Sequence, residues 1–210
     1  MIDVAALDRT SAYRLLTTAL VPRPVAWVGT RSPPTPERPG IDNLAPFSYF
    51  MGVSTDPLRV AFSCARQRDG SRKDTARNLL AEGPSGGACT ISIPEQRDLA
   101  TMHATSATWE GSEFQALGIP ALPGERVDAP RPATARVTLE GRLDRHIDLG
   151  QVDLFLIEVL SVHVDPALLR ADGTVDPHAF DPVARLGGEY YATLGERIPL
   201  PPARAPRAKE

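Results

Sequence analysis

Proline is the residue that most restricts how this chain can fold. Twenty-one of the 210 residues are proline, about twice the usual share. Because proline lacks a backbone N–H and has a fixed φ, it interrupts helices and enters strands only at edges and bulges. We therefore expect short segments separated by rigid turns, and a bundle of long helices is disfavoured.

The distribution of charge excludes several classes of protein. The chain has 23 basic and 26 acidic residues, a formal net charge of −3, and no dense basic stripe, so a nucleic-acid partner is not expected. No stretch approaches the length that spans a bilayer, and residues 1–20 lack a basic start followed by an apolar run. These patterns predict a cytoplasmic protein without a membrane partner.

The length of the chain fits one large domain better than two small ones. We assign residues 1–197 to this domain and residues 198–210, which contain four prolines, to a flexible tail. Cys64 and Cys89 lie in apolar segments without CxxC spacing, which favours buried thiols over a disulfide or a metal site. No metal site is predicted.

Six segments have the composition of strands: residues 25–30, 43–53, 58–64, 88–93, 133–139 and 153–162. The fifth alternates apolar and polar residues, whereas the sixth is almost continuously apolar, as expected for a strand covered on both faces. A helix of about ten residues is predicted from Lys73, with Asp74 or Thr75 as its cap. Without regular β-α alternation, these elements predict a mainly β protein with a closed or nearly closed antiparallel barrel.

Two polar features are candidates for binding. Residues 71–75 place Arg72, Lys73 and two hydroxyls at a helix start, where an anion such as phosphate is attracted; a plain capped surface helix is the alternative. Residues 43–50 carry Pro46 within a strand, which requires an edge or a bulge. Its free backbone groups could contact a flat heteroaromatic ring, or the proline could guard the edge against aggregation.

The histidines carry weaker expectations. His163 lies between two valines and is predicted to be a strand residue with a satisfied hydrogen bond. His103 and His146 are predicted to be surface groups, and no catalytic acid or base is assigned.

Several segments, in this order, resemble the flavin reductase-like family of FMN-binding split barrels, in its flavoredoxin-type branch. The similarity covers roughly residues 13–192. The segments that carry it are RPVAWVGT at 23–30, NLAPFSYF at 43–50, VSTDP at 53–57, KDT at 73–75 and RLGG at 185–188.

The resemblance implies a six-stranded antiparallel split β-barrel that forms a homodimer and binds FMN non-covalently near the subunit interface. NADH or NADPH is a candidate electron donor, and the partner is a small-molecule substrate or a redox protein. The implied contacts to the isoalloxazine ring and ribityl chain are Asn43, Ala45, Pro46, Phe47 and Ser48. Ser63 is implied near the ribityl-phosphate, and Lys73, Asp74 and Thr75 at the phosphate.

One departure affects the predicted function. Relatives that serve as reductase partners of monooxygenases carry Gly-Asp-His where this chain has Gly150, Gln151 and Val152. We therefore predict an FMN-dependent oxidoreductase. The alternatives are an NAD(P)H:flavin reductase that supplies reduced flavin to a monooxygenase, and a flavin-binding electron carrier without a substrate of its own.

Overall fold

The computed structural model describes residues 1–83 and 86–201. Its α-helices are α1 (Arg9–Ala19), α2 (Asp74–Leu79), α3 (Leu99–Ala104) and α4 (Glu113–Ala116), and 3₁₀ turns lie at Val4–Ala6, Gln96–Asp98 and Pro166–Leu168. The strands are β1 (Arg23–Pro24), β2 (Ala26–Arg31), β3 (Asp42–Phe47), β4 (Phe50–Thr55), β5 (Leu58–Ala65), β6 (Ala88–Ser92), β7 (Ala121–Pro123), β8 (Pro130–Pro132), β9 (Val137–Asp148), β10 (Val152–Val164), β11 (Ala184–Arg185) and β12 (Tyr191–Ala192).

The main sheet is antiparallel and has seven strands in the order β3-β2-β6-β9-β10-β5-β4. The predicted class, mainly β with an antiparallel barrel, is confirmed. The additional strand arises because the segment 43–53, predicted as one strand, is two strands separated by Ser48 and Tyr49. At that break the Tyr49 carbonyl accepts a hydrogen bond from the Ser63 N–H at 3.0 Å, which holds the turn against β5.

The interior of the barrel contains aromatic and aliphatic side chains from several strands, including the non-adjacent strands β3 and β5. The rings of Phe47 and Phe62 lie 5.0 Å apart between centroids, and those of Phe62 and Phe155 lie 5.5 Å apart. Leu79 of α2 joins the same buried cluster. Each fully buried side chain of this kind contributes about 1.5 to 3 kcal/mol, so contacts between β3, β5 and β10 close the barrel and seat α2 against it.

Strand β2 is buried on both of its faces. Val28 packs inside the barrel, whereas Trp27 packs outside it with Met102 of α3 and Phe114 of α4. A Cβ at Gly29 would lie 2.1 Å from the Pro130 carbonyl oxygen. Glycine at this position therefore allows β8 to cross β2, and the layer outside the barrel can pack closely.

Some predicted boundaries differ from the structure. Residues 133–136 form a turn and β9 begins at Val137, so the alternating pattern began in the turn. Helix α2 has six residues rather than about ten, and its N-cap is Lys73, not Asp74 or Thr75. Helix α1 was not predicted.

Strand β10 alternates in burial along its first half. Phe155 and Ile157 are fully buried, whereas Leu154 and Leu156 on the other face are only half-buried. Within one chain the outer face of this strand is thus only partly covered, and the cover expected from another subunit or a helix stays a prediction.

Other expectations concern the cysteines, the tail and the membrane. Cys64 and Cys89 are free and buried, which confirms that prediction. Burial raises the pKa of Cys64 to about 11 and that of Cys89 to about 12, so few thiolates exist at neutral pH. Residues 198–201 of the predicted tail have no regular structure, and 202–210 lie outside the described residues. Within the described chain, no helix is long and apolar enough to cross a bilayer.

Candidate functional site

A cleft lies where β3 passes the start of α2. Its enclosed part has a volume of about 100 Å³, so a ligand larger than a few atoms extends toward solvent. The turn 105–109 closes the side opposite β3. The lining consists of Asn43, Ala45, Pro46, Phe47, Gln67, Lys73, Asp74, Thr75, Thr105, Ser106, Ala107, Thr108, Trp109 and Glu113.

The cleft brings together most of the residues that the sequence singled out. Asn43, Ala45, Pro46 and Phe47 come from β3, and residues 73–75 come from the start of α2. Ser48 lies in an adjoining recess, and Ser63 lies half-buried on β5, outside the lining. Residues separated by about thirty positions in the sequence thus meet because α2 packs beside β3.

Strand β3 is an edge strand of the main sheet, as Pro46 predicted. Pro46 lies opposite Trp27 of β2, which is the neighbouring strand in the sheet. Because β3 has a neighbouring strand on one side only, a proline without an N–H is tolerated there. Along the cleft, Ala45, Pro46 and Phe47 present a wall without charge.

Asn43 is the centre of a buried hydrogen-bond network behind this wall. Its Oδ1 accepts hydrogen bonds from Thr75 Oγ1 at 2.8 Å and Thr30 Oγ1 at 3.3 Å. Asn78 Nδ2 donates to Thr30 Oγ1 at 3.0 Å, and Asn43 Nδ2 donates to both carboxyl oxygens of Glu113 at 3.1 Å. The network fixes β3, α2 and α4 relative to one another.

Glu113 is a cleft residue that the sequence did not reveal. It is buried on α4 and also accepts the Leu44 N–H at 2.9 Å. Burial raises the pKa of Glu113, although the hydrogen bonds from Leu44 and Asn43 oppose the shift. An acid in the first turn of a four-residue helix is a common capping pattern, so the sequence offered no specific signal.

The start of α2 leaves polar groups available to a ligand. The first helical hydrogen bond runs from the Arg77 N–H to the Lys73 carbonyl at 3.0 Å, and Lys73 makes no side-chain cap. The Lys73 side chain is exposed and, among the described residues, has no ion-pair partner within 4 Å. The Thr75 hydroxyl already donates to Asn43. The group of Thr75 that is available to a ligand in the cleft is therefore its backbone N–H.

The charged residues beside Lys73 are already paired. Asp74 forms a close ion pair with Arg77. The Arg72 guanidinium lies 3.3 Å from Asp153 and 3.2 Å from Asp148 and does not line the cleft, so a contact from Arg72 to a phosphate stays a prediction. A carboxylate that is fully buried, as Asp153 is, holds its guanidinium partners firmly. Lys73 is thus the cation left at this end of the cleft within the described part of the chain.

Two histidine expectations have different outcomes. His163 pairs with the buried carboxylate of Glu140, which confirms a strand histidine with a satisfied hydrogen bond. His146 is not a free surface group: its Nε2 lies 2.7 Å from Asp153 Oδ1, and its ring stacks on Phe155. A histidine that neighbours polar residues in sequence can therefore face a buried carboxylate from the next strand.

The family assignment follows from a match to residues 18–183 by the model of the flavin reductase like domain. The chain belongs to this family. A relative from Deinococcus radiodurans, described as an uncharacterized protein, is 38% identical over 190 residues, which cover 89% of this chain and 82% of the relative.

Two solved structures share the fold along almost the whole chain. Nitrilotriacetate monooxygenase component B from Bacillus cereus has a TM-score of 0.86 and 31% identity, covering 95% of this chain and 98% of that one. The 2-nitrobenzoate 2-nitroreductase of Pseudomonas fluorescens has a TM-score of 0.85 and 25% identity, with complete coverage of both chains. Family and fold support a flavin-related oxidoreductase role, and the main sheet is the split barrel that the resemblance implied.

Proposed function

We propose that this protein is an oxidoreductase that binds FMN non-covalently in the cleft between β3 and the start of α2. The observation that carries the proposal is the meeting of an uncharged edge strand with an unpaired lysine at an uncapped helix start. A flavin mononucleotide has the matching parts, a flat apolar ring system with polar edges and a dianionic phosphate.

The donor set of the cleft fits the phosphate end of FMN. The Lys73 ammonium and the N–H groups at the first turn of α2, including that of Thr75, are donors beside the positive end of a helix dipole. Asp74 contributes through its backbone, since its carboxylate pairs with Arg77. Ala45, Pro46 and Phe47, with Asn43 behind them, form the wall for the ring, whereas contacts from Ser48 and Ser63 stay predictions.

Bound FMN supplies the electron-transfer chemistry, and the protein controls the surroundings of the ring. The β3 wall excludes water from one side of the cleft. The Asn43 network keeps that wall fixed, because each of its polar atoms is already satisfied within the protein. Burial raises the pKa of Glu113, whose carboxyl group lies in the same lining. We assign no proton transfer to any of these groups.

Lys73→Ala tests the cofactor assignment. Loss of the ammonium is expected to weaken FMN binding by about 1.5 to 3 kcal/mol, the range for a charge-assisted hydrogen bond, while riboflavin binding changes little. Equilibrium titration of both flavins against wild type and variant measures this difference. Arg126→Ala is the control, since it removes an exposed cation that does not line the cleft. Equal losses for FMN and riboflavin would rule out a phosphate contact from Lys73.

We also propose that the protein is a homodimer joined through the barrel wall. Leu154 and Leu156 of β10 point away from the buried Phe155, and Met51 of the nearby β4 is 60% exposed. In the sheet, Leu156 and Met51 flank Ala61 in one cross-strand row. This row is apolar, and in the single chain Met51 is exposed and Leu156 only half-buried, as expected for a contact between subunits.

Leu156→Asp tests the dimer without disturbing the core. The charge is expected to produce a monomer in analytical ultracentrifugation, and Arg126→Asp, at an exposed position outside this row, is the control. Phe155 is unsuitable for this test because it is buried inside the barrel. A wild-type monomer that binds flavin would overturn the proposal.

A second candidate is the reductase component of a two-component monooxygenase. The structure named monooxygenase component B, at 31% identity, favours it, whereas Gln151 and Val152 at the Gly-Asp-His position disfavour it. Steady-state oxidation of NADH or NADPH with free FMN decides: fast turnover establishes the reductase component. If the protein binds flavin but neither a nicotinamide donor nor a substrate gives turnover, it is an electron carrier.

The two free cysteines fit a reducing compartment and support a cytoplasmic location.

A further inference from the structure

A second recess adjoins the flavin cleft and shares Pro46 and Ser106 with it. Its volume is about 220 Å³, which suits a small ring-bearing molecule. The proposed cofactor accounts for one edge of this space, where Pro46 and Ser48 are expected flavin contacts, whereas the opposite wall comes from other elements, including α1, α3, β11 and β12. The lining consists of Tyr13, Val25, Pro46, Ser48, His103, Ser106, Arg185 and Tyr191.

Arg185 places a positive charge in this recess. Its guanidinium carbon lies 4.4 Å above the ring centroid of Tyr191, and its Nη2 donates to the Gly188 carbonyl at 2.7 Å. Among the described residues, Arg185 has no carboxylate within 4 Å. Because a guanidinium has five N–H donors, most of them are free for a ligand, while the stacking on Tyr191 fixes its plane.

Aromatic groups and neutral donors surround the guanidinium. His103 Nδ1 lies 3.1 Å from the Tyr191 hydroxyl, and the two rings meet edge to face with centroids 5.8 Å apart. Tyr13 of α1 is 61% exposed and contributes a further ring. The lining contains neither aspartate nor glutamate. Glu189 lines a neighbouring groove that shares His103 and Tyr191 with the recess.

The recess is held by a buried arginine on the adjoining strand β1. Arg23 is 7% exposed and donates to the carbonyls of Thr17 at 2.5 Å, Leu20 at 2.7 Å and Leu186 at 3.0 Å. It thereby ties the end of α1 to the residue that follows Arg185. The tyrosine of α1 and the guanidinium of β11 consequently keep their spacing without a ligand.

We propose that this recess binds a small ring-bearing organic carboxylate, the molecule with which the flavin exchanges electrons. The planar guanidinium fits a carboxylate in a two-point contact, and the tyrosine rings stack on the ring of the ligand. The shared residues Pro46 and Ser106 bring that ring beside the flavin cleft. Its role as a substrate site rests on the proposed function, whereas binding of the carboxylate does not.

Calorimetric titration with benzoate, and with benzamide as its neutral isostere, tests the proposal on protein with and without FMN. Benzoate is expected to bind at least tenfold more tightly than benzamide. Arg185→Gln is expected to reduce benzoate affinity at least tenfold and to leave FMN affinity within twofold. Arg185→Lys, which keeps the charge but loses the planar fork, is expected to lose several-fold. Arg145→Gln, at an exposed position on β9, is the control.

The outcomes separate the two proposals. Absent benzoate binding, equal affinity for benzamide, or an unchanged Arg185→Gln would overturn the carboxylate site. Displacement of benzoate by inorganic phosphate at equal concentration would also overturn it, in favour of a simple anion site. If benzoate binding depends on Arg185 while FMN does not bind, the recess stands and the proposed cofactor is wrong. Should Arg185→Gln fail to fold, Arg185→Lys decides between the same outcomes.

Discussion

Glu113 and Asp153 are both buried carboxylates, and each is attached to a different part of the segment 66–75 that leads into α2. Asp153 holds this segment directly at Arg66 and Arg72, whereas Glu113 holds it through Asn43, which contacts Thr75. The partners of Asp153 are cationic, and those of Glu113 are neutral amides. Two carboxylates of similar burial therefore have opposite electrostatic surroundings.

The difference is visible in their proton affinities. Burial opposes the charge of Asp153, but hydrogen bonds from Arg72 and His146 outweigh it, and the pKa of Asp153 lies below its ordinary value. For Glu113, burial outweighs the amide hydrogen bonds and raises the pKa. Two arginines are thus paired with Asp153 away from the cleft lining, while the lining holds Glu113, whose pKa is raised, and Asp74, whose carboxylate pairs with Arg77. Among the described residues, Lys73 itself has no ion-pair partner within 4 Å.

The largest expected effect is on folding, from Asp153→Asn. Removing the charge leaves Arg66 and Arg72 without their buried partner, which is expected to cost about 3 kcal/mol of unfolding free energy. Because the pKa of Asp153 is lowered in the folded state, the advantage of the wild type is largest near about pH 7 and declines as the pH falls through the ordinary carboxyl range. Urea unfolding at several pH values measures both.

Asp148→Asn is the control for this variant, since Asp148 binds the same two arginines but is half-exposed. Its loss of stability is expected to be much smaller. Equal losses for Asp148→Asn and Asp153→Asn would show that burial does not distinguish the two carboxylates.

An intermediate effect is expected from Glu113→Gln. The glutamine amide keeps one oxygen acceptor but directs its NH₂ at a donor, which is expected to cost about 1 to 2 kcal/mol. The pH dependence has the opposite sign: since the pKa of Glu113 is raised by folding, the wild type loses stability as the pH rises through that pKa, and the variant does not. The difference in unfolding free energy between wild type and Glu113→Gln should therefore become smaller toward about pH 7. A gap that widens with pH would contradict the neutral surroundings assigned to Glu113.

The smallest effect is expected from Thr75→Val. This change removes the hydroxyl that donates to Asn43 Oδ1, but the Thr30 hydroxyl still donates to the same atom. The expected loss is about 0.5 to 1 kcal/mol of unfolding free energy, with FMN affinity nearly unchanged because the backbone N–H is kept. Thr108→Val, on the exposed side of the cleft, is the control. A large loss of FMN affinity would assign the hydroxyl, rather than the backbone, to the phosphate.

The sequence predicted features that depend on local chemistry. Pro46 required an edge strand, and Lys73 at a helix start marked one end of the cleft; both hold in the structure. Helix α1 escaped prediction because Thr17 is its one buried residue, so no apolar face marks it.

Pairings between distant charges could not be predicted from the sequence. Arg72 meets Asp153 across 81 positions and Asn43 meets Glu113 across 70, and neither partner is special in its own segment. Only the packing of the β9–β10 hairpin against the segment before α2, and of α4 against β3, brings these groups together. For that reason Arg72, which the sequence placed near a phosphate, pairs with Asp148 and Asp153 instead.

The turn at 104–105 is held by the two tryptophans of the chain from different sides. Trp27 Nε1 donates to Thr105 Oγ1 and Trp109 Nε1 to the Ala104 carbonyl, both at 3.0 Å, yet Trp27 is 1% exposed and Trp109 is 36% exposed. The protein thus carries two intrinsic fluorophores at one wall of the cleft, one shielded from water and one open to it. A soluble quencher such as iodide selects the emission of Trp109, and a ligand that covers this wall shields the same indole from the quencher, so occupancy of the cleft can be followed optically without any label.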